Sequence, residues 1–429
     1  MKRDTQGHLI PSLARHYTIS PDGKTYTFYL RTGVRWHDDK PFTADDVLFT
    51  INAITQEEYN SPLFAAWQGI TAQKKDDYMV DIILPKPYAQ FIEWTVMGIV
   101  PKHIWEKSAA KNMYLADANR EPIGTGPYRF LTFTKDALGS ILSYTLVAND
   151  SFWEGKPYIK QIIFFFYTYD HEARTAYLQQ KVMGTAHLTP SEKEKTENQK
   201  AVTHHIRTPK YFAIFFNQNR SKILTDEKVR SALRIATDTE EIVRIVRQGQ
   251  GVVTHTPLLP WMMGYDTTET IVPFSSLSLD TARDILEKAG WEIHNADGIR
   301  EKKDKSKKEV TRLEITLTTS DSPDLVQTAE LLKTQWSKIG VMVHIENDNT
   351  EALKQHIIKP RKYDALLFGE ALTMQSDIYP FWHSSQIKYP GLNLSLYTNK
   401  EIDTLLEKNR ASLDTEETKK NLKKIQQMI

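Results

Sequence analysis

The chain has 429 residues, 40% hydrophobic, 10% aromatic and 25% charged, and its 55 Lys+Arg against 54 Asp+Glu leave a formal net charge of +1. That length exceeds what one core supports and predicts two or three folded domains, while the charge balance gives no field that would draw the chain to nucleic acid or anionic lipid. With no cysteine, the chain has no disulfide, thiolate metal site, thiol nucleophile or lipid-attachable Cys.

In chain order, the start "MKRDTQGHLIPSL" has basic residues but no apolar stretch of roughly 7–15 residues behind them, so no export signal is visible. Tyr26, Phe28 and Leu30 alternate with Thr27, Tyr29 and Arg31, the period of a half-buried strand. A turn at "HDDKP" follows. Thr43 then stands as a helix cap with Asp46 three residues on, Phe42 and Val47 occupy the positions of a hydrophobic staple, and Val47, Ile51 and Ile54 share one helical face. Another strand runs from Met79 to Leu84 and is stopped by Pro85 and Pro87. "IGTGPYRFLTFTKD" and "GSILSYTLVAND" read as a hairpin pair. "IKQIIFFFYTY" reads as a buried strand because it is almost continuously apolar, and Glu172 to Gln180 as a helix.

Between Ala186 and Lys210 the composition turns polar, and "YFAIFFN" then reopens an apolar strand, so the domain boundary is expected there. Thr225 to Arg247 reads as one long helical segment. Thr281 to Ala289 and Asp324 to Ile339 read as helices ending at Gly290 and Gly340. Strands at 312–320 and 341–347 alternate with these helices, which suggests a crossover and an α/β lobe. The run "KKDKSKK" at 302–308 reads as a solvated hairpin tip. At the end, Ile402, Leu405 and Leu406 share a face, Asp414 or Thr415 caps a further helix, and Leu422, Ile425 and Met428 recur at helical spacing. That pattern is still running where the sequence stops, so further residues are expected.

The motifs for hydrolytic elbows, zinc helices and EF-hand loops are absent, so catalysis has no anchor in the sequence. "GKT" at 23–25 imitates the end of a phosphate loop, but Thr18 stands where the leading glycine is needed and a strand follows. "GTG" at 124–126 is followed by Pro127 and a strand, leaving no helix N-terminus for a phosphate. His204 with His205, and His171 beside Glu172, lack the spacing of metal ligands on one helical face.

"SPDGKTYTFYLRTGVRWHDDKPFTADDVLFTI" closely resembles the signature of family 5 extracellular solute-binding proteins, the peptide- and nickel-type receptors of ABC importers. The likeness continues through "PIGTGPYRF", "NDSFWEGKPYIKQIIF", "YFAIFFNQNRSKILTDEKVRSALRIATD", "RDILEKAGW" and "FWHSS…GLNLSLYTNKEIDTLLEKNR", in family order. It implies an α/β, two-lobed periplasmic-binding-protein fold of type II, cluster C-like, with ligand held between the lobes and delivered to a membrane permease. It also implies truncation, because family members normally begin with a signal peptide and additional strands and end with strands returning to the first lobe. Residues 1–208 are accordingly expected to be most of lobe I and 209–429 most of lobe II.

Three positions depart from the family pattern. Asp39 stands where a Gly is usual, in a turn whose positive φ Asp tolerates. "KVMGTAHLT" at 181–189 replaces a Gly-Glu-Ile-Asp stretch. In the third, "FGEALTMQSDIYPFWHSS", spacing from Phe381 puts Met374 where peptide receptors of the family place an Asp against the peptide amine, leaving Glu370 and Asp377 as substitutes. Asp377 reads equally as a loop carboxylate capping a turn, and Trp382 as a cleft platform or a core residue.

The resemblance therefore implies a non-enzymatic, extracytoplasmic, monomeric receptor with no cofactor and no nucleic-acid partner. Ligand contacts are expected from Glu370, Met374, Asp377 and Trp382, with Tyr128, Tyr211 and Asn217 near the lobe junction. A metal chelate, a sugar or another small solute is the alternative ligand. Two other classes stay open. One is a peptide hydrolase using Glu370 and Asp377, which would share a face only on a helix, against the loop character of Tyr379–Pro380. The other is a cytoplasmic sensor, whose helix-turn-helix is not found.

Overall fold

The computed structural model describes every residue except 6, 60, 187–201, 205–207, 209, 261, 267–275, 305–308 and 373–376. It divides into two compact units, Met1–His205 and Ile206–Ile429.

The first unit is built on an antiparallel sheet of β1 (Ala14–Ile19), β2 (Thr25–Leu30), β3 (Thr71–Asp76) and β4 (Met79–Ile83), in the order β1-β2-β4-β3, with helix α1 (Ala44–Thr55) packed on it. Alternation along β2 does what period two demands: Tyr26, Phe28 and Leu30 are buried in one cluster with Val47, Ile51, Ile54, Val80 and Ile82. The expected turn before the helix forms with Asp39 at φ 63, the left-handed conformation that Asp tolerates.

Asp46 does more than cap. Its carboxylate, 4% exposed, accepts the Thr43 backbone N–H at 3.0 Å, the Trp36 indole N–H at 3.2 Å and the Lys102 backbone N–H at 2.9 Å. One charge thus fixes the helix start, a core tryptophan and a segment more than fifty positions later. The Gly124–Gly126 turn is held by His37, whose backbone N–H donates to the Gly124 carbonyl and whose ring contacts the Gly124 N–H and the Gly126 carbonyl. It is a backbone anchor, as its lack of a following helix suggests.

A second antiparallel sheet in this unit joins β5 (Tyr128–Lys135), β6 (Ile141–Ala148) and β7 (Gln161–Phe165), in that order, followed by α2 (Asp170–Leu178). The expectation of a buried strand at β7 is overturned. The strand lies at the sheet edge, and Ile163, Phe164 and Phe165 are 46%, 49% and 50% exposed. An apolar run records that a strand can be buried on both faces, not that anything covers them.

In the second unit, β8 (Lys210–Phe216) precedes α3 (Glu227–Ile235), α4 (Thr239–Ile245) and α5 (Ser276–Lys288). Then come β9 (Glu314–Ser320), α6 (Pro323–Ser337), β10 (Met342–Asp348), β11 (Ala365–Ala371), the short α7 (Tyr379–Trp382), α8 (Lys400–Ala411) and α9 (Thr415–Met428). The main sheet runs β8-β11-β9-β10, with β9 parallel to both neighbours and β8 antiparallel at the edge. Ile214, Phe216, Ala365 and Leu367 join the core under α3, α5 and α6, whereas Phe215 and Leu366 join a second core with Tyr363 and Leu394. The sheet is therefore covered on both faces.

The single long helix expected over 225–247 is two. Asp238 breaks it: its carboxylate accepts the Glu241 N–H at 2.8 Å and so caps α4, while its own N–H donates to Gln335 of α6 at 3.1 Å. The hairpin 300–312 forms as strands Arg300–Asp304 and Glu309–Arg312, and the tip falls outside the described residues. Asp414 caps α9 through the N–H groups of Glu416 and Glu417.

Replacing Asp46 by Ala would strand three buried donors, each costing on the order of 1–3 kcal/mol. The expected outcome in urea melts followed by tryptophan fluorescence is a fall in the midpoint of the first unit's transition with an unchanged slope.

Candidate functional site

Parallel strands β9, β10 and β11 end at the same side of their sheet, at Ser320, Asp348 and Ala371. From β9 the chain goes to β10 on one side, and from β10 it crosses to β11 on the other side of β9. The carboxyl ends of β9 and β11 therefore flank the point where strand order reverses, the place where open α/β sheets leave a crevice for ligand.

Glu370 lies one residue from the end of β11, at that point. The antiparallel register sets it directly opposite Tyr211 of β8, and the Tyr211 hydroxyl donates to Glu370 Oε2. Glu370 is only 7% exposed, and its buried Oε1 has no hydrogen-bond partner among the described residues. A carboxylate in that position is costly, because charge removed from water needs a partner. Among the described residues the cation acting on it is Arg361, held at φ 57 just before β11. Its guanidinium, however, donates to three carbonyls, those of Ile387 (3.0 Å), Ile358 (2.9 Å) and Gly391 (2.7 Å).

The titration behaviour follows. Burial pushes the Glu370 carboxyl up from 4.5 to about 7, against the smaller lowering effects of the Tyr211 hydrogen bond and the Arg361 charge. Burial and the neighbouring Glu370 push the Tyr211 hydroxyl well above its ordinary range, so it remains a donor. Burial likewise raises Tyr363, whose hydroxyl donates to the Leu394 carbonyl.

Of the six described residues among the seven that the sequence singles out, only Glu370 and Tyr211 are brought into contact here. Asp377 turns its carboxylate to Arg410 of α8, with contacts at 3.1 and 2.7 Å, and accepts the Tyr379 N–H at 3.0 Å at the start of α7. Arg410 also stacks over the Tyr379 ring at 3.6 Å. Trp382 packs edge-on to Tyr397, ring centroids 6.3 Å apart, against the core of α7, α8 and α9. Asn217 is buried in the turn after β8, its amide donating to the Arg361 carbonyl at 3.0 Å and its side-chain oxygen accepting the Asn219 N–H at 3.1 Å. Tyr128 opens β5 in the first unit, paired with Ala148. Met374 lies outside the described residues.

The sequence did not point to Arg361 or Tyr363. Neither sits in a motif, and Arg361 acts through a left-handed backbone conformation that an arginine does not advertise. Among the described residues, no group of three or more His, Asp or Glu side chains is placed to hold a metal ion.

The chain matches the family model described as bacterial extracellular solute-binding proteins, family 5 Middle, over residues 8–389. It is 30% identical to the oligopeptide-binding protein AppA of Bacillus subtilis, over all of this chain and 77% of that protein. The structure of AppA in complex with a nonapeptide superimposes with a TM-score of 0.74 at 26% identity, covering 100% of this chain and 83% of that one. The dipeptide-binding protein of Escherichia coli is 28% identical over 79% of this chain and 63% of its own length. NikZ from Campylobacter jejuni in complex with Ni(L-His) gives a TM-score of 0.77 at 28% identity, covering 99% and 82%.

The raised Glu370 carboxyl makes a stability prediction with a definite sign. A folded-state value above the unfolded one stabilises fully below about 4.5, and that contribution is lost as pH rises through about 7. At ~1.4 kcal/mol per pH unit the loss is roughly 3 kcal/mol. The melting temperature of the wild-type chain should therefore fall between pH 5 and 8 relative to that of Glu370→Gln, and parallel curves would disprove the assignment.

Proposed function

Because the chain belongs to the family 5 bacterial extracellular solute-binding proteins, we propose that it is the ligand-capturing receptor of an ABC importer and that its ligand is a peptide. The two-lobed periplasmic-binding-protein fold of the family suits this role, with 1–208 as lobe I and 209–429 as lobe II. The receptor works outside the cytoplasmic membrane and hands its ligand to a permease without breaking a bond. Ligand that binds one conformation better than another shifts the population toward it, and the permease reads that state.

The observation that carries the peptide reading is the orphaned oxygen of Glu370 at the carboxyl end of β11. Every free-amine peptide brings a group that answers it, the terminal ammonium, and buried carboxylates and ammonium groups meet as charge-assisted hydrogen bonds. Tyr211 holds the carboxyl in place from the opposite strand. Main-chain groups at the strand ends would take the rest of an extended peptide, with side chains left to tolerant, wet surroundings. The similarity to NikZ, whose structure contains Ni(L-His), supports a second reading, a metal chelate carried by an amino acid. In that reading too the ligand brings its own coordinating groups, so few protein ligands are needed.

A thermal-melt screen at pH 7.5 separates these readings, using pooled short peptides, the same peptides amino-acetylated, oligosaccharides, and nickel with histidine. Ligand at ~100 times its dissociation constant adds ~2.7 kcal/mol and moves the melt by several degrees. Stabilisation by free but not acetylated peptides is expected. Stabilisation by nickel–histidine alone would replace the peptide reading, and none from any pool would overturn both.

A further inference from the structure

We propose that ligand capture at Glu370 is coupled to a proton: a cationic group of the ligand docks against Oε1 as the carboxyl group releases its proton to solvent. This rests on the receptor reading above and specifies how its site is regulated. The geometry points there through three observations. Among the described residues Glu370 Oε1 is buried and accepts no hydrogen bond, so an ionised carboxylate in the ligand-free site would be a buried charge hydrogen-bonded only by a neutral hydroxyl. Among the described residues, the titratable or charged groups that act on it are Tyr211 from β8, and Arg361 and Tyr363 from the segment leading into β11. Each is already committed: Tyr211 to Oε2, Arg361 to three carbonyls, and Tyr363 to the Leu394 carbonyl.

The third observation is rigidity. Tyr211 and Glu370 are directly paired residues of adjacent strands and the Tyr211 hydroxyl donates to Oε2, so swinging the carboxyl group out to ionise in water would break that hydrogen bond. Below about pH 7 it keeps its proton until something positive arrives. A ligand offering only a carbonyl or amide would be served equally by a glutamine, whereas an ionisable side chain is needed where a charge is to be matched.

Without ligand and below about pH 7, the Glu370 O–H is intact. When an ammonium or guanidinium group enters with its own protons, that O–H breaks, the electron pair stays on the carboxylate, and one proton passes to the buffer. The upward displacement of this carboxyl by burial places the exchange in a range that the surroundings of a receptor cross. The affinity for a cationic ligand then rises with pH by up to ~10-fold per unit on the acid side of about 7 and levels off above it.

The test uses the full chain and the free-amine peptide that stabilises it most in the screen above. Titration calorimetry at pH 5.5 and 7.5, in two buffers of different ionisation enthalpy at each pH, reads the protons exchanged. The expected result is release of close to one proton at pH 5.5, with ~10-fold or more weaker binding there than at pH 7.5. Glu370→Gln should bind more weakly at pH 7.5 and release none. Binding whose heat is the same in both buffers at pH 5.5, with unchanged affinity, overturns the coupling and leaves the receptor reading standing. Affinity that falls as pH rises overturns it in favour of a neutral ligand group accepting from the acid. If no peptide stabilises the chain at either pH, the peptide reading fails and the coupling with it.

Discussion

Parallel strands cannot be joined by a tight turn, and that constraint shapes the second unit. The chain must leave β9, cross over through α6 and return as β10, then cross again to reach β11 on the other side of β9. Each crossover covers the sheet and brings every parallel strand to its end on the same side. The reversal of direction at β9 opens the sheet's rim there. Antiparallel β8 then closes the free edge of β11 and sets Tyr211 against Glu370. The carboxyl group is thus held by topology: sheet packing excludes water from one oxygen, and strand pairing supplies a donor to the other.

The two units solve the problem of a buried carboxylate in opposite ways. Asp46 receives three donors from three parts of the first unit and serves as a structural hub. Glu370 receives one donor and keeps one oxygen bare. Asp377 resembles Asp46, since Arg410 and the Tyr379 N–H meet its charge. A fully satisfied carboxylate stabilises the fold, and a half-satisfied one costs stability unless something else completes it. That contrast distinguishes Glu370 from Asp377, two carboxylates seven residues apart that the sequence presents as equals.

Much of the fold is legible in local pattern because local pattern is what fixes it. The alternation at Tyr26, Phe28 and Leu30, the cap at Asp414 and the glycines at 290 and 340, both at positive φ, each report a constraint acting within a few residues. The failures are mostly non-local. The break between α3 and α4 does have a local sign, the Asp238 cap with Glu241 three residues on, but the periodic apolar pattern across it hides the break, which Gln335 of α6 then fixes. The exposure of β7 escaped a reading based on its own apolar residues, since burial is a property of neighbours. The same holds at the candidate site. Glu370 and Tyr211 are each visible as a residue, but their contact is a matter of strand register, and the ties of Arg361 to Ile387 and Gly391 span 26 and 30 positions.

Tyr211 and Glu370 stand 159 residues apart, and this separation governs when the pair exists at all. Their contact is among the most distant in the second unit, and the loop between them contains β9, α6 and β10. Contacts of that span form late, because the closure entropy of the intervening chain must be overcome first. A chain still emerging from the ribosome has no Glu370 to set against Tyr211. An incompletely folded one has both residues, solvated and independently mobile. If ligand is held at Glu370 as proposed, recognition is contingent on completion of the sheet, because a chain that has not paired β8 with β11 has no assembled site.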